Sequence, residues 1–169
     1  MDASKDFVMT QGAVRLNLGC GRDIREGWVN VDREDRPGVL ALDLERDDLP
    51  FVDGSVSYVY ASHILEHLLH WERLVIEVHR VLKPGGRFEI LVPYGYRWNS
   101  AYHVRYFLPM TMDDFCLIDE PYAPRVSFQA RPLFAKVDEH LHYKVLGRWH
   151  HVPVGRRYVI HWVLRKVEP

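Results

Sequence analysis

Short apolar runs broken by turn residues fill the first half of the chain. "AVRLNLG" (13–19) reads as a buried strand ended by Gly19, and "WVNVD" (28–32) and "VLALDL" (39–44) as two more, each finishing close to an aspartate. "SVSYVYA" (55–61) follows the turn signal Asp53-Gly54 as a fourth strand. The period then changes. Trp71, Leu74, Val75, Val78, Val81 and Leu82 recur with the i, i+3, i+4, i+7 spacing of one apolar helix face, and Pro84, Gly85 and Gly86 close that helix. "RFEILVP" (87–93) is a fifth strand. Apolar strands joined through a helix predict an α/β fold with a mainly parallel sheet.

Beyond residue 93 the pattern weakens. Aromatics and prolines crowd residues 94–135, with a short helix expected at "TMDDFCLI". "EHLHYKVLGRWHH" and "RRYVIHWVLRKV" flank "VPVG" and read as a closing antiparallel hairpin. At 169 residues without repeats or linkers, one domain over 1–169 is expected. Hydrophobic residues make up 47% and charged residues 27%, an ordinary balance for a globular protein. A formal net charge of −1 offers no basic excess for a phosphate backbone, so no nucleic acid partner is expected. The two cysteines, Cys20 and Cys116, lack C-x-x-C spacing and read as reduced thiols of a cytoplasmic protein. Neither a signal-peptide pattern nor a membrane-length apolar run is evident, so no membrane partner is expected.

The sharpest chemistry lies in "LNLGCGRD". Gly19 and Gly21 after a strand allow backbone N–H groups to approach a ligand closely, although glycine pairs also mark simple turns. Asp32 and Asp43 end the next two strands, at the edge where open α/β sheets bind ligands. The first is placed to accept both hydroxyls of a ribose and the second an adenine amino group. Exposed turn aspartates are the alternative reading of both. A dinucleotide is disfavoured, because Ile24 holds the third glycine's place of G-x-G-x-x-G and Asp32 comes too early.

"LNLGCG…GWVNVD…DLERDDLPFVDGSVSYVYASHILEHL…VHRVLKPGGRFEILVP", spanning about 15–93, resembles the class I S-adenosylmethionine-dependent methyltransferases. It is most similar to their small bacterial, type-11-like members, whose second strand begins G-W-x-N-V-D. The resemblance implies a Rossmann-like sandwich with a seven-stranded sheet whose last strand is antiparallel. It implies S-adenosyl-L-methionine as cofactor and methyl transfer to a small-molecule or saccharide-like acceptor. Asn17, Gly19, Cys20, Gly21, Ser62 and His63 would then surround the methionine part, Asp32 the ribose, and Asp43 with the backbone of Leu44 the adenine. A module that binds the cofactor without catalysis is the alternative. Three departures stand out. Asn17 occupies a position where many relatives have Asp or Glu, and Ser57 replaces the second aspartate of D-x-S-x-D. Only residues 22–28 separate the glycine loop from the second strand, fewer than a helical crossover needs, so the first helix is expected to be reduced or absent.

"HILEH" (63–67) also spells H-x-x-E-H, the inverted zinc-peptidase order. In the methyltransferase reading His63 ends the fourth strand and His67 belongs to the following turn, so the two need not share a helical face. Glu139, His140, His142, His150 and His151 could each be a third ligand, and nothing in the sequence selects one. No metal is expected. His63 is the candidate general base, with a contact to the cofactor's methionine end as its other role. Tyr94, Tyr96 and Tyr102 are candidate acceptor residues as aromatic walls with polar tips. His103 and Arg105 join them because "HVRYF" followed by "TMDDF" resembles a segment common in the family, where the His and Arg lie near the active site. The aspartate-proline that precedes this segment in relatives is replaced by Ser100-Ala101-Tyr102. Packing is the alternative role for about half of the aromatics in this segment.

Overall fold

The computed structural model describes residues 13–94, 102–117, 133–145, 148–151 and 158–167. Its strands are β1 (Val14–Leu18), β2 (Val29–Asp32), β3 (Val39–Ala41), β4 (Val56–Ser62), β5 (Leu82–Pro93), β6 (Cys116–Leu117), β7 (Phe134–Val145), β8 (Arg148–His151) and β9 (Tyr158–Lys166). α1 (Trp71–Val81) is the single α-helix among the described residues, joined by 3-10 turns at Leu65–His67 and Pro109–Phe115. The sheet runs β3-β2-β1-β4-β5-β9-β7, seven strands, with β6 and β8 as short additions on β7. β1 to β5 are mutually parallel, and β9 is antiparallel to both β5 and β7. This is the expected Rossmann-like α/β sheet.

The missing first helix is explained by register. Leu16 pairs with Val29 and Leu18 with Val31, so the chain leaving Leu18 steps back only two residues. That distance is about 7 Å at strand rise, and residues 19–28 cover it in turns without a helix. Residues 42–55 likewise connect β3 to β4 in turns. Arg80 on α1 holds this segment through the carbonyls of Leu49 (2.8 Å) and Phe51 (2.9 Å), with Asp53 and Glu77 as ionic partners. Glu45 accepts from the N–H groups of Leu69 (2.8 Å) and His70 (3.1 Å), placing a negative charge at the amino end of α1 where the helix dipole favours it.

Several boundaries differ from the sequence reading. The third strand stops at Ala41, because Asp43 turns the chain by accepting from the N–H groups of Arg46 and Asp47. α1 ends at Val81 and β5 begins at once, with Leu82 opposite Val56 and Arg87 opposite Tyr58. Residues 83–86 bulge between these pairs, which Gly85 permits with φ of 72°. The short helix near Thr111 is a 3-10 segment that gives way to β6 at Cys116. The closing antiparallel pair is present, with Glu139–Tyr143 of β7 against Tyr158–Trp162 of β9, while Arg148–His151 forms a separate strand, β8, that folds back on β7.

Alternation gives the sheet two unlike faces. Leu16, Leu18, Val31, Val59, Ala61, Phe88, Ile90, Ile160, Trp162 and Leu164 are buried beneath α1 and the 3-10 segments. Trp71 meets Phe107 and Phe115 edge-on, and Phe107 in turn meets Trp162. The other face carries Arg15, Tyr58, Tyr60, Glu89 and His161, with no α-helix over it among the described residues. Arg25 lies 3.5 Å over the ring of Tyr60 and 5.1 Å from that of Trp28, and Trp28 meets Tyr58 edge-on. Glu89 accepts from the Tyr58 hydroxyl and pairs with His161 at 3.0 Å. Burial, then the Glu89 carboxylate, raises the Tyr58 hydroxyl above the usual phenol range. The His161 hydrogen bond holds the Glu89 carboxyl below its ordinary value, against the opposing effect of burial.

Two stability experiments probe these faces. Leu74 is 2% exposed and Ile76 45% exposed on the same helix. Leu74→Ala should cost about 2–5 kcal/mol and Ile76→Ala about 0.5 kcal/mol or less, as read from urea midpoints; equal costs would contradict this packing. A carboxyl depressed in the folded state contributes stability above its unfolded pKa and loses it as pH falls through the folded value. The stability gap between wild type and Glu89→Gln should therefore be widest near neutrality and close on acidification.

Candidate functional site

Four segments meet at the carboxyl edge of the parallel strands: the glycine loop after β1, the ends of β2 and β3, the turn after β4, and Tyr102–Arg105. The glycine loop has no helix behind it and is held by amides instead. Asn17, buried on β1, donates through Nδ2 to the carbonyl of Asp23 (2.6 Å) and to Oδ1 of Asn30 on β2 (3.0 Å). Asn30 also accepts from the Arg25 N–H (2.9 Å) and donates to the Arg25 carbonyl (3.1 Å). An aspartate at position 17 would set a carboxylate against two oxygens here, which explains the asparagine. Asn17 thus supports the loop through its amide rather than presenting a charge to a ligand. Asn30 was not singled out from the sequence, although the G-W-x-N-V-D pattern contains it.

Gly19 and Gly21 have φ of 62° and 50°, the left-handed region that favours glycine. A Cβ on Gly19 would lie 2.6 Å from Ile64, so the turn after β4 packs directly on this backbone. A Cβ on Gly21 would meet nothing within 4 Å, so this part of the loop fronts open space. Asp32 stands beside that space. Its Oδ2 accepts from the Gly21 N–H at 2.7 Å and its Oδ1 from the Glu34 N–H at 3.4 Å, leaving lone pairs for two hydroxyls. Arg36 donates to the Gly21 carbonyl from the same side. Cys20 faces the interior; its N–H bonds to the Val31 carbonyl at 3.0 Å, and burial raises its thiol pKa. Asp43 sits two residues past β3, with Oδ1 on the Glu45 N–H at 3.0 Å, and the Leu44 side chain is buried in the core. The open backbone at Gly21 and the adjacent Asp32 fit the nucleoside and amino-acid parts of S-adenosylmethionine.

After Ser62, the last residue of β4, the chain turns sharply at His63. This is the one non-glycine position among the described residues with positive φ (55°), pinned by its N–H to the Leu91 carbonyl at 2.9 Å. Such strain clusters at functional sites. The His63 side chain is 45% exposed, and its Nδ1 lies 3.1 Å from Oε1 of Glu66, which is fully buried. A carboxylate on one ring nitrogen fixes the imidazole and leaves Nε2 available to a second partner. Glu66, read from sequence only as part of a motif, is therefore the residue that orients His63. Nothing in the sequence distinguishes this buried carboxylate from an exposed one.

The acceptor candidates divide. His67 places Nδ1 3.1 Å from the Tyr102 carbonyl and meets His103 edge-on, with ring centroids 4.9 Å apart. Arg105 donates to the Leu69 carbonyl at 2.7 Å, so its guanidinium ties the segment down. The Val104 N–H bonds to the Glu66 carbonyl at 2.8 Å. Tyr102 is exposed, and Tyr94 bridges to Phe107 at the end of β5. Tyr96 lies outside the described residues. His63 and His67 do not converge on one point, whereas His67 and His103 do.

Residues 15–90 match the family described as "Methyltransferase domain". The chain is 33% identical over 63 residues to the sterol 4-C-methyltransferase of Caenorhabditis elegans, covering 37% of this chain and 18% of that protein. It is 34% identical over 68 residues to the malonyl-[acyl-carrier protein] O-methyltransferase of Methylococcus capsulatus, covering 38% of this chain and 25% of that one. The chain thus spans a quarter or less of the length of these relatives. Among solved structures, a possible histamine N-methyltransferase of Thermotoga maritima superposes with a TM-score of 0.63 at 16% identity, covering 95% of this chain and 84% of that one. A Burkholderia thailandensis 1,6-didemethyltoxoflavin-N1-methyltransferase with bound S-adenosylhomocysteine gives 0.60 at 19% identity, covering 92% and 72%. These likenesses concern the fold. No helix among the described residues is long and apolar enough to cross a membrane. Residues 15–90 thus match a methyltransferase domain, and the chain shares its fold with these solved methyltransferase structures.

Proposed function

We propose that the protein catalyses methyl transfer from S-adenosylmethionine to a small-molecule or saccharide-like acceptor in the cytoplasm. The observation that carries this reading is the Gly21 N–H closed onto the Asp32 carboxylate beside open space, with His63 held by Glu66 across the crevice. The donor, when bound, supplies an electrophilic methyl group on a sulfonium centre. Asp32 accepts the ribose hydroxyls, Asp43 and the Leu44 backbone face the adenine, and the Gly19–Gly21 backbone and Ser62 receive the methionine part. Transfer is an in-line displacement, so the chain's main task is to hold donor and acceptor at attack distance. For an oxygen or nitrogen acceptor, His63 Nε2 takes the proton, and Glu66 stabilises the imidazolium that results. Tyr94, Tyr96, Tyr102 and His103 lie on the acceptor side, with Arg105 fixing their segment.

A donor-binding module without catalysis is the second reading, favoured by the glycine loop that lacks a following helix. Release of labelled methyl to an acceptor separates the two. Neither net charge nor the crevice residues favour nucleic acid as the acceptor.

Asp32→Ala should weaken S-adenosylmethionine binding by about 1.5–3 kcal/mol, the usual worth of hydrogen bonds to a charged group. Calorimetry of the variant reads this directly, and an unchanged affinity would remove Asp32 from the donor site. His63→Ala should keep donor affinity within a few-fold while lowering kcat by about 10²–10⁴, the range for a lost general base. Loss of donor affinity with kcat intact at saturation would make His63 a cofactor contact instead.

A further inference from the structure

One buried oxygen has no role in the account above. Glu66 is 0% exposed; its Oε1 pairs with His63, and its Oε2 has no hydrogen-bond partner. A buried carboxylate oxygen left in this state is costly unless something positive meets it. Two imidazoles lie close to this carboxylate. One ligating atom each from Glu66, His67 and His103 lies within 4.8 Å of the other two. A tetrahedral zinc with ligand bonds of about 2.0–2.2 Å needs its ligands about 3.4 Å apart, a contraction within reach of side-chain adjustment. We propose that Glu66, His67 and His103 form a binding site for a divalent transition metal, zinc first, whose open position takes an oxygen of the acceptor.

The surroundings are those of a metal site. A ligating histidine ordinarily donates its other ring N–H to a carbonyl or carboxylate. His67 has its Nδ1 3.1 Å from the Tyr102 carbonyl, leaving Nε2 to ligate. A ligating carboxylate is itself hydrogen-bonded, as Glu66 is through His63. The two ligand-bearing segments are stapled by backbone: Val104 and Arg105 donate their N–H groups to the Glu66 carbonyl at 2.8 and 3.3 Å. Two histidines and one carboxylate suit zinc and related divalent ions and leave coordination positions for a substrate. The H-x-x-E-H order misleads on this point. Its second histidine and glutamate are ligands, its first histidine is an orienting residue, and the third ligand comes from His103 on a distant segment.

A metal here would polarise a bound hydroxyl and lower its pKa, preparing it to receive the methyl group. Only that acceptor role rests on the proposed methyl transfer; the metal site itself does not. The test therefore needs no turnover. The full chain, stripped with a chelator, is titrated with Co²⁺ followed in the visible range, then with Zn²⁺ in competition. S-adenosylhomocysteine affinity is measured on the same samples. One saturable equivalent of Co²⁺, displaced by Zn²⁺, is expected. His63→Ala should weaken uptake about 10–100-fold, the usual effect of an outer-shell partner, and His103→Ala should weaken it further with S-adenosylhomocysteine affinity retained. Glu66→Gln should also weaken uptake; should that variant fold poorly, His103→Ala on the surface segment decides alone. Absence of a saturable equivalent, or uptake unchanged in His103→Ala, overturns the site. Loss of S-adenosylhomocysteine binding with metal uptake intact would count instead against the proposed function.

Discussion

The amide pair of Asn17 and Asn30 is the interaction on which the glycine loop depends. In an α/β sheet a helix normally follows the glycine loop and fixes it against the strands. Here the loop returns to β2 without one, and the two buried side chains carry its hydrogen bonds in place of a helix. Buried amides satisfied on both ends act as rigid clamps, because leaving any one of these groups unpaired is expensive. The clamp fixes Arg25, whose side chain then stacks on Tyr60, and it sets the height at which Gly21 meets Asp32. The replacement of a charged residue by Asn17 follows from this arrangement and is not a loss.

The region after β4 hangs on a second constraint, the sharp turn at His63. Its backbone is held to Leu91, and the next residue, Ile64, fills the space that a side chain on Gly19 would occupy. The glycine loop and the turn after β4 therefore share one contact. Glu66 follows within the same 3-10 turn, where burial makes its carboxylate a strong orienting group. The segment from Tyr102 to Arg105 then closes on this turn through backbone hydrogen bonds to Glu66 and through the side chains of His67, His103 and Arg105.

Much of this was legible in the sequence. Five strands and the helix were readable because their apolar periods are clean and glycine or proline bounds them. The absent helix was readable from chain length alone. What was not legible depends on contacts between distant residues. Asp43 looked like the end of a strand, yet its own turn hydrogen bonds stop β3 two residues earlier. The pairing of Glu139–Tyr143 with β9 follows the expected hairpin, but the split of residues 139–151 into β7 and β8 is not legible, since strand-like runs follow one another and only register decides which pair. The convergence of His103 on Glu66 and His67 joins segments more than thirty residues apart, as the |i−j| of 35 between His67 and Tyr102 indicates. No local pattern announces it.

The position of β9 has a consequence for how the sheet comes together. β9 follows both of its neighbours in the chain, yet it lies between β5 and β7. Its side-chain contact from His161 to Glu89 spans 72 residues. While the ribosome is still making this strand, the hydrogen-bonding edge of β5 that β9 will cover is open, and so is the matching edge of β7. Unpaired edges of this kind are sites of mispairing and aggregation during synthesis. The charged and histidine-rich character of β7 and β9, with Lys136, Asp138, Glu139, His140, His161, Arg165 and Lys166 along them, places ionic side chains on the strands that wait longest for a partner.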